Sequence, residues 1–286
     1  MLNFFLFALA FSLALTALVR FSKLRVRGEL TPRLSIFLTA GFVSILILAW
    51  WAATRGQTIE QRLLPPLILP SPTEVIQAFP SLHFEQALVR SAFKSFERVT
   101  IGFALAALVA TPLGVYMASF RGLAAFFRPL ALIGSYVPIV VFIPLTLAWF
   151  GLSETQKIGF LFIGCFVALL PLVIRAIEDV PRAFLDVAVT KGATQWQLVR
   201  HVLFPVAQAQ IWENWRAVYG VGWGWIILAE VVNAQNGLGY LISISERRGH
   251  TNAIFAIIVV IVFIAVASDQ LWRLGARLLF PYKFKS

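Results

Sequence analysis

Chemistry needs side chains that exchange protons, ligate metals or hold charge, and this chain of 286 residues offers few of them. It has 13 Asp and Glu, 3 His and a single Cys. His83, His201 and His250 fall in predicted loops, far apart in sequence, with no second ligand at helical spacing. A zinc or haem site is therefore not expected. Cys165 lies in an apolar run, where a thiol is a small packing group rather than a reactive one, and one cysteine cannot form an intrachain disulfide. There is no G-x-x-x-x-G-K-[ST] loop to cradle ATP phosphates, no H-E-x-x-H and no G-x-S-x-G. No catalytic residue and no cofactor are expected on this chain.

A short set of polar and helix-breaking residues remains inside apolar sequence. Pro112, Pro138, Pro144 and Pro171 loosen helices and free carbonyls that protein or water must satisfy. They are ordinary kinks or, around Pro138 and Pro144, a hinge or pore lining. Gly220-x-Gly222-x-Gly224, interleaved with Trp223 and Trp225, thins a helix so that another backbone can approach. Helix packing and a solute path explain that pattern equally well. Glu230, with Asn233 nearby, stands at the end of an apolar run. A carboxylate facing lipid there costs a few kcal/mol, so it must face protein or water. Asp269 is placed to pair with Arg273 at i+4.

The elements that carry these residues are set by composition. Hydrophobic residues make up 59% of the chain and charged residues only 13%, with 26 Phe and 9 Trp and a mean hydropathy of +0.83. A soluble domain carries roughly 25% charged residues to wet its surface. Halving that fraction makes lipid the natural solvent. The net charge of +11 comes from short clusters between apolar runs rather than from a basic tail, which excludes a nucleic-acid binder.

A membrane crossing takes about 20 mostly apolar residues. Such runs predict an all-α polytopic chain with spans at Leu2–Phe21, Leu34–Ala53, Thr100–Phe120, Leu130–Phe150, Ile158–Val173, Ala217–Val232 and Ala253–Gln270. The first run could instead be a signal sequence, but it has no charge ahead of it and no A-x-A site after it. Most of the 24 Lys and Arg collect on one side: Arg20 to Arg33, Arg121, Arg128, Arg175 to Arg216, and Arg273 to Lys285. The positive-inside rule makes that side, and the C-terminus, cytoplasmic.

Two stretches between spans are long. In the outer one, Ser71, Pro72 and Glu74 form a helix start. The inner one, residues 178–205, is the more informative. Asp179 and Pro181 can open a first helix, which stops at Gly192, a residue suited to a left-handed cap. Thr194 and Gln197 make a capping box that opens a second helix, and Pro205 marks its exit. The product is a helix–glycine–helix elbow with apolar Phe184, Val187, Val189 and Trp196. It either awaits a protein partner or rests on the membrane surface.

This elbow resembles the E-A-A, three residues, G, nine residues, I-x-L-P loop of binding-protein-dependent ABC importer permeases. Asp186, Val187 and Ala188 stand for E-A-A, Gly192 for G, and Val202, Phe204 and Pro205 for I, L and P. The spacing matches throughout, and the four departures conserve size or charge. Further segments resemble the nitrate, bicarbonate, sulfonate and taurine branch of that family. They are Pro70-Ser71-Pro72-x-Glu74-Val75, Ser95-x-x-Arg98-Val99-x-x-Gly102-Phe103, Val137-Pro138, Ile143-Pro144-Leu145, Trp149-Phe150-Gly151, Ala229-Glu230 and Gly237-Leu238-Gly239-Tyr240-Leu241. The likeness spans roughly residues 35–282.

The resemblance implies a type I ABC importer transmembrane fold of about six core spans, over 34–286, with residues 1–33 adding an N-terminal span. It implies a permease of the bacterial inner membrane working with cytoplasmic ABC ATPases, a periplasmic substrate-binding protein and a second permease subunit, a homodimer in this branch, all within membrane lipid. ATP and Mg belong to the ATPase. The elbow would be the coupling helix, with Asp186 as its principal contact. Pro138, Pro144, Gly222, Trp225, Glu230 and Asn233 are the candidates for gate or path, and Glu230 suits a gate or dimer interface because a carboxylate repels an oxyanion. A thiamine-precursor-type cargo fits the same pattern. A membrane enzyme would need a cluster of His, Asp or Glu at one face, and an ion-coupled transporter more intramembrane charge and an inverted repeat; neither pattern is in the sequence.

Overall fold

Packing in the bundle is organised by two glycines on one helix. A computed structural model of the chain describes residues 31–56 and 61–284, all helix, turn or loop, with no strand among them. Contacts divide the chain into a unit ending at Arg55 and one running from Gly56 to Ser286. The first contains α1 (Pro32–Thr54), whose Pro lies in its opening turn and whose apolar side chains are exposed along its length. The predicted span Leu2–Phe21 lies outside the described residues.

The second unit opens with α2 (Pro72–Phe84). Ser71 Oγ accepts from the Glu74 N–H, and Glu74 Oε2 accepts from the Ser71 N–H at 2.8 Å, the predicted start. Then come α3 (Leu88–Ser119), α4 (Arg121–Tyr136), a 3₁₀ turn (Ile139–Val141), α5 (Phe142–Phe150) and α6 (Glu154–Glu178). A Cβ on Gly102 would lie 2.5 Å from Leu161 Cβ, and one on Gly114 would lie 2.8 Å from Val173 Cγ1. These two glycines let α3 and α6 press together along their length, and the matched order of the contacts makes them parallel. The chain between them must therefore cross back.

That return, predicted as one span over Leu130–Phe150, is broken. Pro138 is extended (φ −59°, ψ 128°) and lacks an N–H, so α4 ends and a tight turn resets the axis before α5. Pro112 and Pro171, by contrast, lie inside continuous helices.

After α6 come α7 (Arg182–Thr190), the four-residue α8 (Gln195–Leu198), a π-helical turn (Val199–Leu203) and α9 (Phe204–Asn233). α9 lies antiparallel to α6, with Asn214 Nδ2 donating to Leu172 O at 3.0 Å near one end and Trp225 against Gly164 near the other. α10 (Leu238–Arg247) is short, and α11 (Thr251–Leu279) runs antiparallel to α9, tied by Trp212 Nε1 donating to Trp272 O at 3.0 Å. Among the described residues α1, α3, α6 and α11 are both long and apolar enough to cross a membrane.

Two details of the elbow depart from expectation. Asp179 closes α6 by donating its N–H to Arg175 O, and it is Pro181 that precedes α7; no Asp179 cap forms. Pro205 does not end the second helix. With no N–H to offer, it is accommodated by the π turn, in which the Phe204 N–H reaches back to Val199 O, and the helix continues into α9.

Candidate functional site

The elbow projects from one end of the bundle. α7 ends in a Schellman turn, in which Gly192 N–H bonds Val189 O at 2.9 Å and Ala193 N–H bonds Ala188 O at 3.0 Å. Gly192 takes φ +80°, a value that disfavours side chains, so the glycine is a requirement of the turn. Thr194 and Gln197 form the predicted capping box, with Gln197 Oε1 accepting from the Thr194 N–H at 2.8 Å. Asp186 and Val187 are exposed on α7, as are Phe184 (51%) and Trp196 (53%). Val202 and Phe204 are half-buried where the π turn meets α9, and Pro205 is exposed. This is apolar surface of the kind that marks a protein or membrane contact.

At the far end of α9, about 45 Å along its 30 residues at 1.5 Å each, lies an ionic cluster that is buried apart from the exposed Glu154. Arg98 of α3 engages all of its N–H donors. Nε and Nη2 fork onto Glu154 Oε2 and Oε1 at 2.7 Å each; Nη1 donates to Glu230 Oε1 at 2.7 Å and to Asn236 O at 2.9 Å; Nη2 also donates to Asn236 Oδ1 at 2.6 Å. Glu230, with no exposed surface, additionally accepts from Ser95 Oγ at 2.8 Å and from the Gly239 N–H at 2.9 Å. Ser95 Oγ in turn accepts from the Leu238 N–H at 2.9 Å. The carboxylate thus sits on the first turn of α10, where unpaired N–H groups and the helix dipole favour negative charge. Lys157, also buried, lies 3.9 Å from Glu154, so two cations face two carboxylates.

Glycines make room for this arrangement. A Cβ on Gly237 (φ +120°) would meet the Glu230 carboxyl carbon at 2.5 Å, and one on Gly239 would meet Ile227 O at 2.7 Å. Sequence reasoning singled out Glu230 but missed its partners, which lie 132 residues upstream at Arg98 and nine downstream at Gly239. The available signal was the Ser95-x-x-Arg98 spacing, which puts both side chains on one helix face.

The remaining candidates are scattered. Pro138 and Pro144 are exposed on the broken α4–α5 crossing. Trp225 packs with Ile143, Phe160 and Ala229, and with Gly134, Val137 and Gly164 it lines a cavity of about 290 Å³ behind the break. Gly222 makes ordinary contact with Val99 and Cys165, at 3.6 and 3.8 Å, and admits no close backbone. Gly220 and Gly224 face open space. The Asn233 side chain lies outside the described residues. Asp269 pairs with Arg273 at 2.9 Å, as its spacing implied, and also with Arg216 at 2.5 Å.

Residues 110–277 match the family described as Binding-protein-dependent transport system inner membrane component. An ABC transporter permease protein of Methanocaldococcus jannaschii is 31% identical over 72% of this chain and 79% of its own length. The taurine transport system permease protein of Escherichia coli is 27% identical over 86% of this chain and 90% of its own. Among solved structures, an inward-facing MetNI methionine ABC transporter shares the fold, with a TM-score of 0.61 over 67% of this chain and 95% of that one at 19% identity. A translocating subunit of this kind works with an ATPase and a binding protein. These likenesses show that the chain belongs to the binding-protein-dependent inner-membrane components and is a permease subunit of an ABC importer.

Proposed function

We propose that the chain moves a small oxyanion, such as nitrate or bicarbonate, or an organic sulfonate into the cytoplasm by alternating access, as one of two identical copies. The observation that carries the coupling half of this reading is the exposed apolar elbow, with Asp186 on its first helix and a rigid glycine turn behind it. A separate ATPase, holding ATP and Mg, docks there. The C-terminus shares the cytoplasmic side, and a periplasmic binding protein delivers cargo at the opposite end. The taurine permease relative supports the sulfonate class. Residues 1–33 form an addition to the core at 34–286.

The ionic cluster holds α3, α6, α9 and α10 as one body, against which the exposed α4–α5 crossing moves at Pro138 and Pro144. The cavity behind Val137 and Ile139 gives that crossing room to shift. Glu230 then acts as a strut of the outer gate rather than as part of its lining.

Substituting Asp186 by Lys and Phe184 by Asp tests the docking surface. Each should weaken ATPase co-purification at least about tenfold, a loss of about 1.4 kcal/mol, and abolish uptake while membrane insertion stays normal. Undiminished ATPase capture by both variants would remove the elbow from the coupling role.

A further inference from the structure

A slot beside α3 lies outside the ionic cluster and shares Trp196, Arg200 and Phe204 with the elbow. Three voids, of about 350, 570 and 320 Å³, meet at Thr111 between α3, α9 and α11. Together they follow α3 from Thr100 to Tyr116, about 24 Å of helix at 1.5 Å per residue. Half of a hydrocarbon core of about 30 Å is shorter than that, so the slot is long enough to take an acyl chain of one leaflet. We infer that it binds an acyl chain of an anionic phospholipid, with Arg200 at the phosphate.

The lining favours hydrocarbon over solute because it is mostly apolar, and beside Thr100–Thr111 several of its polar groups satisfy one another. Thr100 Oγ1 and Tyr219 OH share a hydrogen bond at 3.1 Å, and Trp215 Nε1 donates to Thr111 Oγ1 at 3.1 Å. An acyl chain would gain apolar contact throughout.

The elbow-side mouth has the opposite character. Tyr116 and Trp196 stack there with ring centroids 6.3 Å apart, and Arg200 lines the same void. Among the described residues the Arg200 guanidinium makes no hydrogen bond or ion pair, and it lies on the lining of that void. Amphipathic rings beside a guanidinium match a lipid phosphate at the membrane interface.

The competing occupant is a transmembrane segment resting along the open side of the slot, and the cross-linking arm of the test distinguishes it. The bound lipid would touch both α3 and Trp196 on the coupling elbow, so that leaflet composition acts directly on the coupling surface. Assignment to the cytoplasmic leaflet rests on the orientation proposed above, whereas the chain-in-slot geometry does not.

The test uses the full chain in nanodiscs of phosphatidylethanolamine with a minority of phosphatidylglycerol bearing a diazirine at one acyl terminus. Photolabel should concentrate on residues 100–108 and 215–219. Ala104→Trp, which plugs the slot, should reduce that labelling at least about fivefold; Arg200→Gln, on the exposed mouth, should reduce the preference for phosphatidylglycerol over a phosphatidylcholine probe by about fivefold, the effect of one surface cation. Label spread evenly over α1, α3 and α11 would mean bulk lipid only and overturn the site. So would efficient Ala104→Cys cross-linking to a second copy or to α1. The Arg200 arm stands if Ala104→Trp fails to fold, and because both leaflets carry probe, a wrong orientation leaves the labelling pattern unchanged.

Discussion

Arg98 is tightly constrained, since every side-chain N–H it carries has an acceptor and almost none of its surface is exposed. A buried ion pair is weak evidence for net stability, but breaking one leaves an unpaired charge and costs about 3–5 kcal/mol. Arg98→Ala and Glu230→Ala should each lower unfolding free energy in detergent by about that amount, read from chaotrope titration. Arg98→Lys should rescue little, because an ammonium cannot fork onto Glu154 while also reaching Glu230. Equal stability of wild type and both alanine variants would remove the strut. Gly237→Ala attacks the same point through the backbone, where φ of +120° and the Glu230 carboxyl group leave no room for a methyl.

At the scale of elements, α9 sorts its residues onto different faces. Val218, Gly222, Trp223, Ile226, Ala229 and Glu230 are buried against the bundle. Gly220, Val221, Gly224 and Leu228 are exposed on another side, with nothing within 4 Å of a Cβ at either glycine. Small residues four apart on an open helix face allow a second backbone to approach closely. Such a face suits the contact of the homodimer proposed above. Gly220→Leu and Gly224→Leu should therefore leave monomer folding intact, since Gly is the poorer helix former by up to about 1 kcal/mol, yet convert the dimer to monomer in light scattering. Retained dimers in both variants would move the contact elsewhere. The broken crossing shows the limit of sequence at this scale: a proline inside an apolar run announces a perturbation, yet Pro112 and Pro171 sit in intact helices while Pro138 divides one. Which outcome follows depends on whether neighbouring helices hold the axis straight.

At the scale of the whole molecule, the core should assemble without residues 1–33. A chain beginning at residue 34 is expected to insert, dimerise and support ATPase-coupled uptake at near wild-type rates; loss of insertion or of dimers would show that the leading segment is integral. The order of crossings follows from the parallel packing of α3 and α6, and it places the elbow and the ionic cluster at opposite ends of α9.

Much of this was legible in the residues themselves. Low charge and apolar runs determine that lipid is the solvent, and local chemistry determines the elbow. Gly192, Thr194 and Gln197 each act within a few residues of chain, so their signals survive in one dimension. The glycine turn and the capping box formed where expected, whereas Pro205 did not stop the helix because a π turn absorbed the missing bond. Tertiary structure alone decided what Glu230 does. Its carboxylate could have faced a path, a partner or the protein, and only the packing of α3, α6 and α10 around α9 brought Arg98, Ser95 and the Gly239 N–H within reach. Contacts between residues more than a hundred positions apart leave no periodicity to read, because they are fixed by how whole helices cross rather than by any segment's own preference.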